Sequence, residues 1–254
     1  MRYYMATNLD GLRRFFQEFR QFIVTASRKL GLMEAADRYG DRPAMRFLAT
    51  GLAEEPVRDI SFRDVKRQTI QAANFFRSLR VEANDAVSFL LPILPETFIA
   101  MFGAQVAGVA NPINFLLEVE HIVSLLQEAN CRILLGPDPD LFPGVWPKIQ
   151  MLRHAVPSLR AIVRIGGPPK RSDDAALHFE SEIASQSGQK LTFDREFRPN
   201  DIASLFHTGG TTSKPKLVRQ TQRGLLMQCW SNAQVSRNCS THPSTCKRLI
   251  NNTF

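Results

Sequence analysis

Ala86-Val-Ser-Phe-Leu-Leu91, closed by Pro92, is an apolar run interrupted by one serine. A strand with one wet face alternates apolar and polar residues; this segment does not, so it reads as a strand buried on both faces in a parallel sheet. Parallel strands are joined by crossover connections, so helices must lie before and after it. Upstream, Val57 to Ile60 reads as a short strand, and Ser61 followed by Asp64 is a capping-box-like helix start. Val65, Ala72, Phe76 and Leu79 then follow a 3.6-residue period and predict a helix over 62–79. Downstream, Pro95 suits a first helical turn, and Phe98, Met101, Phe102 and Gln105 carry a helix to a stop at Gly108.

The alternation continues. Val109 to Ile113 is a second apolar segment, and Val119, Ile122, Val123 and Leu126 sit at helical spacing. Cys131 to Leu135 supplies another strand, a Pro-rich loop runs through Pro147, a helix is expected near Ile149 to His154, and Ala161 to Ile165 is again strand-like. Gly166 to Asp174 is a polar, Pro/Gly-rich surface connection. Strand and helix in turn predict an α/β fold, with a mainly parallel sheet flanked by helices and right-handed crossovers.

With 254 residues and 44% hydrophobic content the chain can bury one large core or two modest ones. It contains no apolar run of the roughly 18 residues a membrane-spanning helix needs, and Met1 to Asp10 lacks the apolar centre of a secretory signal, so the expected compartment is the cytoplasm. Leu12, Phe15, Phe16 and Phe19 recur at helical spacing and predict an amphipathic helix packed on the body of the protein; a membrane-surface role is the alternative. Cys131, Cys229, Cys239 and Cys246 form no C-x-x-C pair and have no histidine pair at zinc spacing, so free thiols and no metal site are expected.

The net charge of +8 would suggest nucleic acid or membrane if it covered a folded face. Instead, every charged residue after Asp201 is basic, so the excess is gathered at the C-terminal end, where three of the four cysteines also lie. From about Ser236 neither helical nor strand periodicity is visible. Aromatic interleaving is absent beyond Trp230, which argues against nucleic-acid binding by this tail.

Chemistry concentrates where Ile202-Ala-Ser-Leu-Phe206, a short strand candidate, runs into His207-Thr-Gly-Gly-Thr-Thr-Ser-Lys-Pro-Lys216. Adjacent glycines permit unusual backbone angles and close approach, hydroxyls and lysines suit phosphate oxygens, and free backbone N–H groups after a strand can form an anion nest. A Walker A loop is excluded: with its lysine set on Lys214, its second glycine falls on Ser213, and Pro215 takes the place of the magnesium-binding hydroxyl. The glycines are adjacent rather than spaced G-x-G-x-x-G, which excludes a dinucleotide fingerprint.

This run resembles the T-S-G-T-T-G-x-P-K-G signature of the adenylate-forming superfamily, matched by Thr208, Gly210, Thr211, Thr212, Pro215 and Lys216. Gly209 in place of serine, with a preceding histidine, is similar to a bacterial fatty-acyl-CoA synthetase branch. Leu90 to Thr97, Ala107 to Asn114 and Leu117 to Ile122 resemble that branch in the same order. Ser213 and Leu217 depart from the signature's glycines, and a serine forced to φ > 0 costs on the order of 1 kcal/mol.

The resemblance implies the N-terminal part of the synthetase large domain over 40–230, preceded by a helical segment at 1–39 and followed by a non-family, disordered tail at 231–254. It further implies that Thr208, Gly209, Gly210, Thr211, Thr212 and Lys216 cradle the ATP phosphates with Mg2+ nearby, for a carboxylic acid, a fatty acid in this branch, that is adenylated and passed to CoA. The family's later motifs, its hinge and the adenylation lysine of its small C-terminal domain have no counterpart between Leu217 and Phe254. No catalytic residue is therefore assigned, and a fragment without ligase activity of its own is expected. The alternatives are a nucleotide- or acyl-binding module, or a half-protein completed by a second polypeptide. His207 is expected to be an ordinary loop histidine.

Overall fold

The computed structural model describes residues 31–49, 51–52, 54–169, 175–208 and 215–241. The expected amphipathic helix around Leu12 to Phe19 lies outside them, as does the chain beyond Thr241. Two units are distinguished: among the described residues, one comprises Leu32–Glu196 with Ile202–Gln220, and the other Phe197–Asp201 with 221–241.

The larger unit begins with α1 (Gly31–Tyr39) and an antiparallel pair, β1 (Pro43–Phe47) and β2 (Arg58–Ser61). The hydroxyl of Ser61 accepts from the Asp64 N–H at 3.0 Å and donates to the Asp64 carboxylate at 2.7 Å, so the predicted cap starts α2 (Phe62–Ser78). Then come β3 (Ala86–Phe89), α3 (Pro95–Ala107), β4 (Val109–Pro112), α4 (Val119–Glu128), β5 (Cys131–Pro137), α5 (Trp146–Ala155) and β6 (Ala161–Ile165). Pro147 stands in the first turn of α5 rather than ending the loop before it, a position where its missing N–H costs nothing. β7 (Leu177–His178), α6 (Phe179–Ala184), β8 (Ile202–His207) and β9 (Leu217–Thr221) complete the unit's elements.

The sheet order is β7-β6-β5-β3-β4-β8-β9, with parallel pairing of β3 to β4 and β5, of β4 to β8, of β5 to β6 and of β6 to β7. β3 is buried at every position, as its unbroken apolar run requires. One face packs Leu90, Ile113, Leu134 and Ile162 against Ile122, Leu125 and Leu126 of α4 and Ile149 and Leu152 of α5. On the other, Gln105 of α3 donates to Ser204 at 3.0 Å, and Ser204 is in register with Ala110, the neighbour of opposite orientation to Asn111. α3 thus lies across the sheet from α4.

The buried side of α3 is not the large-residue stripe. Ile99, Ala100, Gly103, Ala104, Val106 and Ala107 are buried, whereas Phe98 is 36% exposed and Met101, Phe102 and Gln105 are partly exposed. The reason is close approach: a Cβ on Gly103 would stand 2.5 Å from the Ala72 Cβ and 3.1 Å from the Ala73 nitrogen of α2. Small residues let the two helix backbones meet, and the bulky ones are displaced outward.

In the smaller unit, Gln222 N–H donates to the Asp201 carbonyl at 2.9 Å and Arg223 N–H to the Pro199 carbonyl at 2.9 Å, at the start of α7 (Gln222–Thr241). That helix continues past Ser236, where the sequence shows no periodicity.

Candidate functional site

β3 feeds α3 on one face and β4 feeds α4 on the other, so the connections diverge between these adjacent strands. In open parallel sheets such a switch point opens a crevice at the carboxyl ends of the strands. β8 lies beside β4, and its carboxyl end is His207, directly before the motif.

Thr208 N–H donates to the Lys216 carbonyl at 3.0 Å, closing the segment between β8 and β9. Pro215 is buried and Lys216 is exposed, so a cationic side chain faces solvent at the closure. Gly209, Gly210, Thr211 and Thr212 lie outside the described residues, as do Ser213 and Lys214. Of the six residues expected to bind phosphate, the structure therefore places Thr208 and Lys216 and brings them together.

It also places a group the sequence did not single out for this site. The backbone N–H of Asn114, just after β4, donates to Nε2 of His207 at 3.0 Å. Asn114 Oδ1 in turn accepts from Leu116 N–H at 2.9 Å, and Lys148 of α5 donates to the carbonyls of Phe115 at 3.1 Å and Leu117 at 2.9 Å. The β4–α4 connection is thus tied both to the carboxyl end of β8 and to α5. An accepting Nε2 fixes the neutral tautomer with the proton on Nδ1. That Nδ1 is buried and has no hydrogen-bond partner among the described residues.

No group of three or more His, Cys, Asp or Glu side chains able to hold a metal occurs among the described residues. No described helix is long and apolar enough to cross a membrane. A hollow of about 680 Å3 lined by Trp146, Gln150, Met151 and Ile162 flanks α5, but none of the motif residues lines it.

Comparison with known proteins bears on this arrangement. Residues 32–247 match the AMP-binding enzyme family. The chain belongs to this family. The marinolic acid–CoA ligase of Pseudoalteromonas sp. (strain SANK 73390) is 34% identical over 196 residues, covering 77% of this chain and 29% of that protein. The long-chain-fatty-acid–CoA ligase heimdall of Drosophila melanogaster is 26% identical over 215 residues, covering 79% of this chain and 30% of that protein. Among solved structures, the anthranilate CoA ligase AuaEII in complex with anthranoyl-AMP superimposes with a TM-score of 0.64 at 25% identity, over 76% of this chain and 34% of that one. The α/β fold expected from sequence is the fold of the AMP-binding enzymes' N-terminal domain. The chain spans about three-tenths of the length of these curated relatives.

Proposed function

We propose that this AMP-binding chain is the phosphate-binding part of an ATP-dependent acyl-CoA synthetase. In that reaction a carboxylate attacks the α-phosphate of ATP, giving an acyl-adenylate and pyrophosphate, and the thiol of CoA then takes the acyl group. The observation that carries this reading is the Thr208–Lys216 closure at the carboxyl end of β8, beside the switch point of a parallel sheet. Thr208 starts the loop, and exposed Lys216 offers a compact positive charge toward phosphate oxygens. Gly209, Gly210, Thr211 and Thr212 supply the remaining contacts in this reading. Catalysis of this kind is largely positioning and charge neutralisation.

The described residues fit phosphate better than they fit a divalent cation, because no carboxylate cluster is present to hold one. Mg2+ would therefore arrive on the nucleotide, as is usual for an ion that keeps much of its water. No described residue is assigned to CoA. The acid is a fatty acid or a related carboxylate, and the compartment is the cytoplasm.

On its own the chain is expected to bind ATP·Mg without completing ligation. Isothermal titration of the purified chain with ATP·Mg tests the first half: binding is expected, with about a ten-fold or greater loss in Lys216→Ala, the cost of one charge-assisted contact. Equal affinity in the variant removes Lys216 from the site. Thioester formation by the chain with ATP, Mg2+, CoA and fatty acids would overturn the second half.

A half-protein completed by a second polypeptide is the alternative. It is favoured by exposed apolar residues at the carboxyl edge, Ile93 at 79%, Leu116 at 73% and Phe206.

A further inference from the structure

Away from the switch point, at the β7 edge of the sheet, the tetrapeptide His178-Phe-Glu-Ser181 brings three chemically active side chains together. Ser181 Oγ lies 2.8 Å from His178 Nδ1. The Ser181 backbone N–H donates to the same nitrogen at 3.3 Å, so Nδ1 presents a lone pair and the ring proton sits on Nε2. Glu180 Oε2 lies 3.1 Å from that Nε2, and Glu180 Oε1 accepts the Gly166 N–H at 2.9 Å.

His178 is the N-cap of α6, yet capping uses only the Ser181 N–H contact. It does not call for a hydroxyl on the same lone pair and a carboxylate behind the ring. Hydroxyl, imidazole and carboxylate in that order make up the arrangement that activates a serine. The carboxylate is itself anchored to the end of β6 through Gly166. Nε2 and Oε2 are buried, and neither has a hydrogen-bond partner among the described residues, so they meet without an aligned bond. Catalytic contacts commonly tighten only when a substrate is bound. The His178 side chain is 10% exposed whereas Ser181 is exposed, which shields the base and leaves the nucleophile open to reagents.

We propose that Ser181 is a nucleophile that takes an acyl group from an activated carboxylic ester, with His178 as its general base and Glu180 as a positioning residue. Ser181 Oγ attacks the ester carbonyl carbon as its proton passes to His178 Nδ1. The C–O bond to the leaving group then breaks, and that proton departs on the released alcohol. The product is an O-acyl serine, and nothing is oxidised or reduced. While charged, the imidazolium faces the Glu180 carboxylate. Glu180 and Glu182 in the first turn of α6 disfavour anionic phosphoryl donors, which leaves an uncharged acyl ester as the fitting class. Neither Thr208 nor Lys216 takes part.

The full chain and its Ser181→Ala, His178→Asn and Glu180→Gln variants are incubated with p-nitrophenyl acetate, with nitrophenolate release followed by absorbance and the acetylated peptide identified by mass spectrometry. Each is also melted. Wild type is expected to acquire one acetyl group at Ser181, and Ser181→Ala to leave that peptide unmodified. Asparagine at 178 keeps a side-chain oxygen to cap the Ser181 N–H, so His178→Asn is expected to melt near wild type yet acylate Ser181 about 100-fold or more slowly, the contribution of a general base. Glutamine at 180 keeps an acceptor for the Gly166 N–H but no charge. It is expected to react at a rate between wild type and His178→Asn, without a change in melting.

Nitrogen-15 spectra of the histidine-labelled wild-type chain give a readout that needs no variant to fold. His178 is expected to carry its proton on Nε2, with an unprotonated Nδ1. A proton on Nδ1 in the neutral ring overturns the proposal. So does acetylation confined to lysine or other side chains with Ser181 unmodified, and so does a Ser181 that reacts as fast in His178→Asn as in wild type, which would make the cluster a helix cap alone. None of these outcomes bears on ATP·Mg binding, so the reading of the Thr208–Lys216 closure stands or falls separately.

Discussion

Replacing Asp85 by alanine tests how the amino edge of the sheet is held, at the end opposite the candidate site. Asp85 is 7% exposed and ends the turn into β3. Its Oδ1 accepts from Asn130 Nδ2 at 3.0 Å and from Arg132 Nε at 3.1 Å; its Oδ2 accepts from Glu82 N–H at 3.0 Å and lies 3.7 Å from Arg160 Nη1. One carboxylate thereby joins the starts of β3, β5 and β6. Each neutral donor left behind costs roughly 1 kcal/mol and the charged one about 1.5–3 kcal/mol. Glu82 and Asn130 are exposed enough for water to replace part of this, so the expected loss is about 2–3 kcal/mol. For a domain of this size that is a fall in Tm of roughly 5–10 °C. Asp85→Asn keeps one acceptor and should lose about half as much. Urea unfolding with an unchanged m-value measures both, and a cycle with Arg132→Met isolates the pair. ATP·Mg affinity of the folded variant should stay at the wild-type value. A Tm within about 2 °C of wild type for Asp85→Ala would refute the argument that this carboxylate fastens the edge.

Gly103→Ala places a methyl 2.5 Å from the Ala72 Cβ and 3.1 Å from backbone atoms, so the helices α2 and α3 must separate; a loss of about 1–3 kcal/mol in urea unfolding is expected. The Asp64 carboxyl is held below its ordinary value of 3.8, first by the Ser61 hydroxyl and then by Arg67. A depressed carboxylate contributes stability above the unfolded value and loses it as pH falls, so the stability gap between wild type and Ser61→Ala should narrow below about pH 3.8, leaving the neutral part of the cap. A gap that widens on acidification contradicts this. Burial pushes the Cys131 thiol up to about 12, while Cys229 is exposed. Iodoacetamide at neutral pH should therefore label the peptide containing Cys229 and leave Cys131 unmodified until urea unfolds the chain, as mass spectrometry would record.

What could be read from the sequence follows from where physical information is stored. β3 declared itself because burial on both faces forbids polar alternation, and the Ser61–Asp64 cap because it is a contact between residues three apart. α3 was located correctly, but the residues that marked it, Phe98, Met101, Phe102 and Gln105, are not those it buries, because the contact with Ala72 selects Gly103 and Ala104. β7 and α6 left no periodic signal because they span only Leu177–His178 and Phe179–Ala184, and their anchoring resides in buried Phe179, ring-stacked against Phe76 of α2.

The motif at Thr208 to Lys216 was legible because glycine, hydroxyl and lysine chemistry is concentrated in one contiguous stretch. The state of His207 was not, and no longer pattern would have supplied it. Its partner is 93 residues away and contributes a backbone N–H, a group every residue but proline carries, so the side chain at 114 encodes nothing about the bond. Only the juxtaposition of β4 and β8 in the sheet decides which imidazole nitrogen holds the proton. A histidine that sequence alone treats as an ordinary loop residue becomes, through that pairing, a fixed tautomer whose buried Nδ1 has no partner among the described residues.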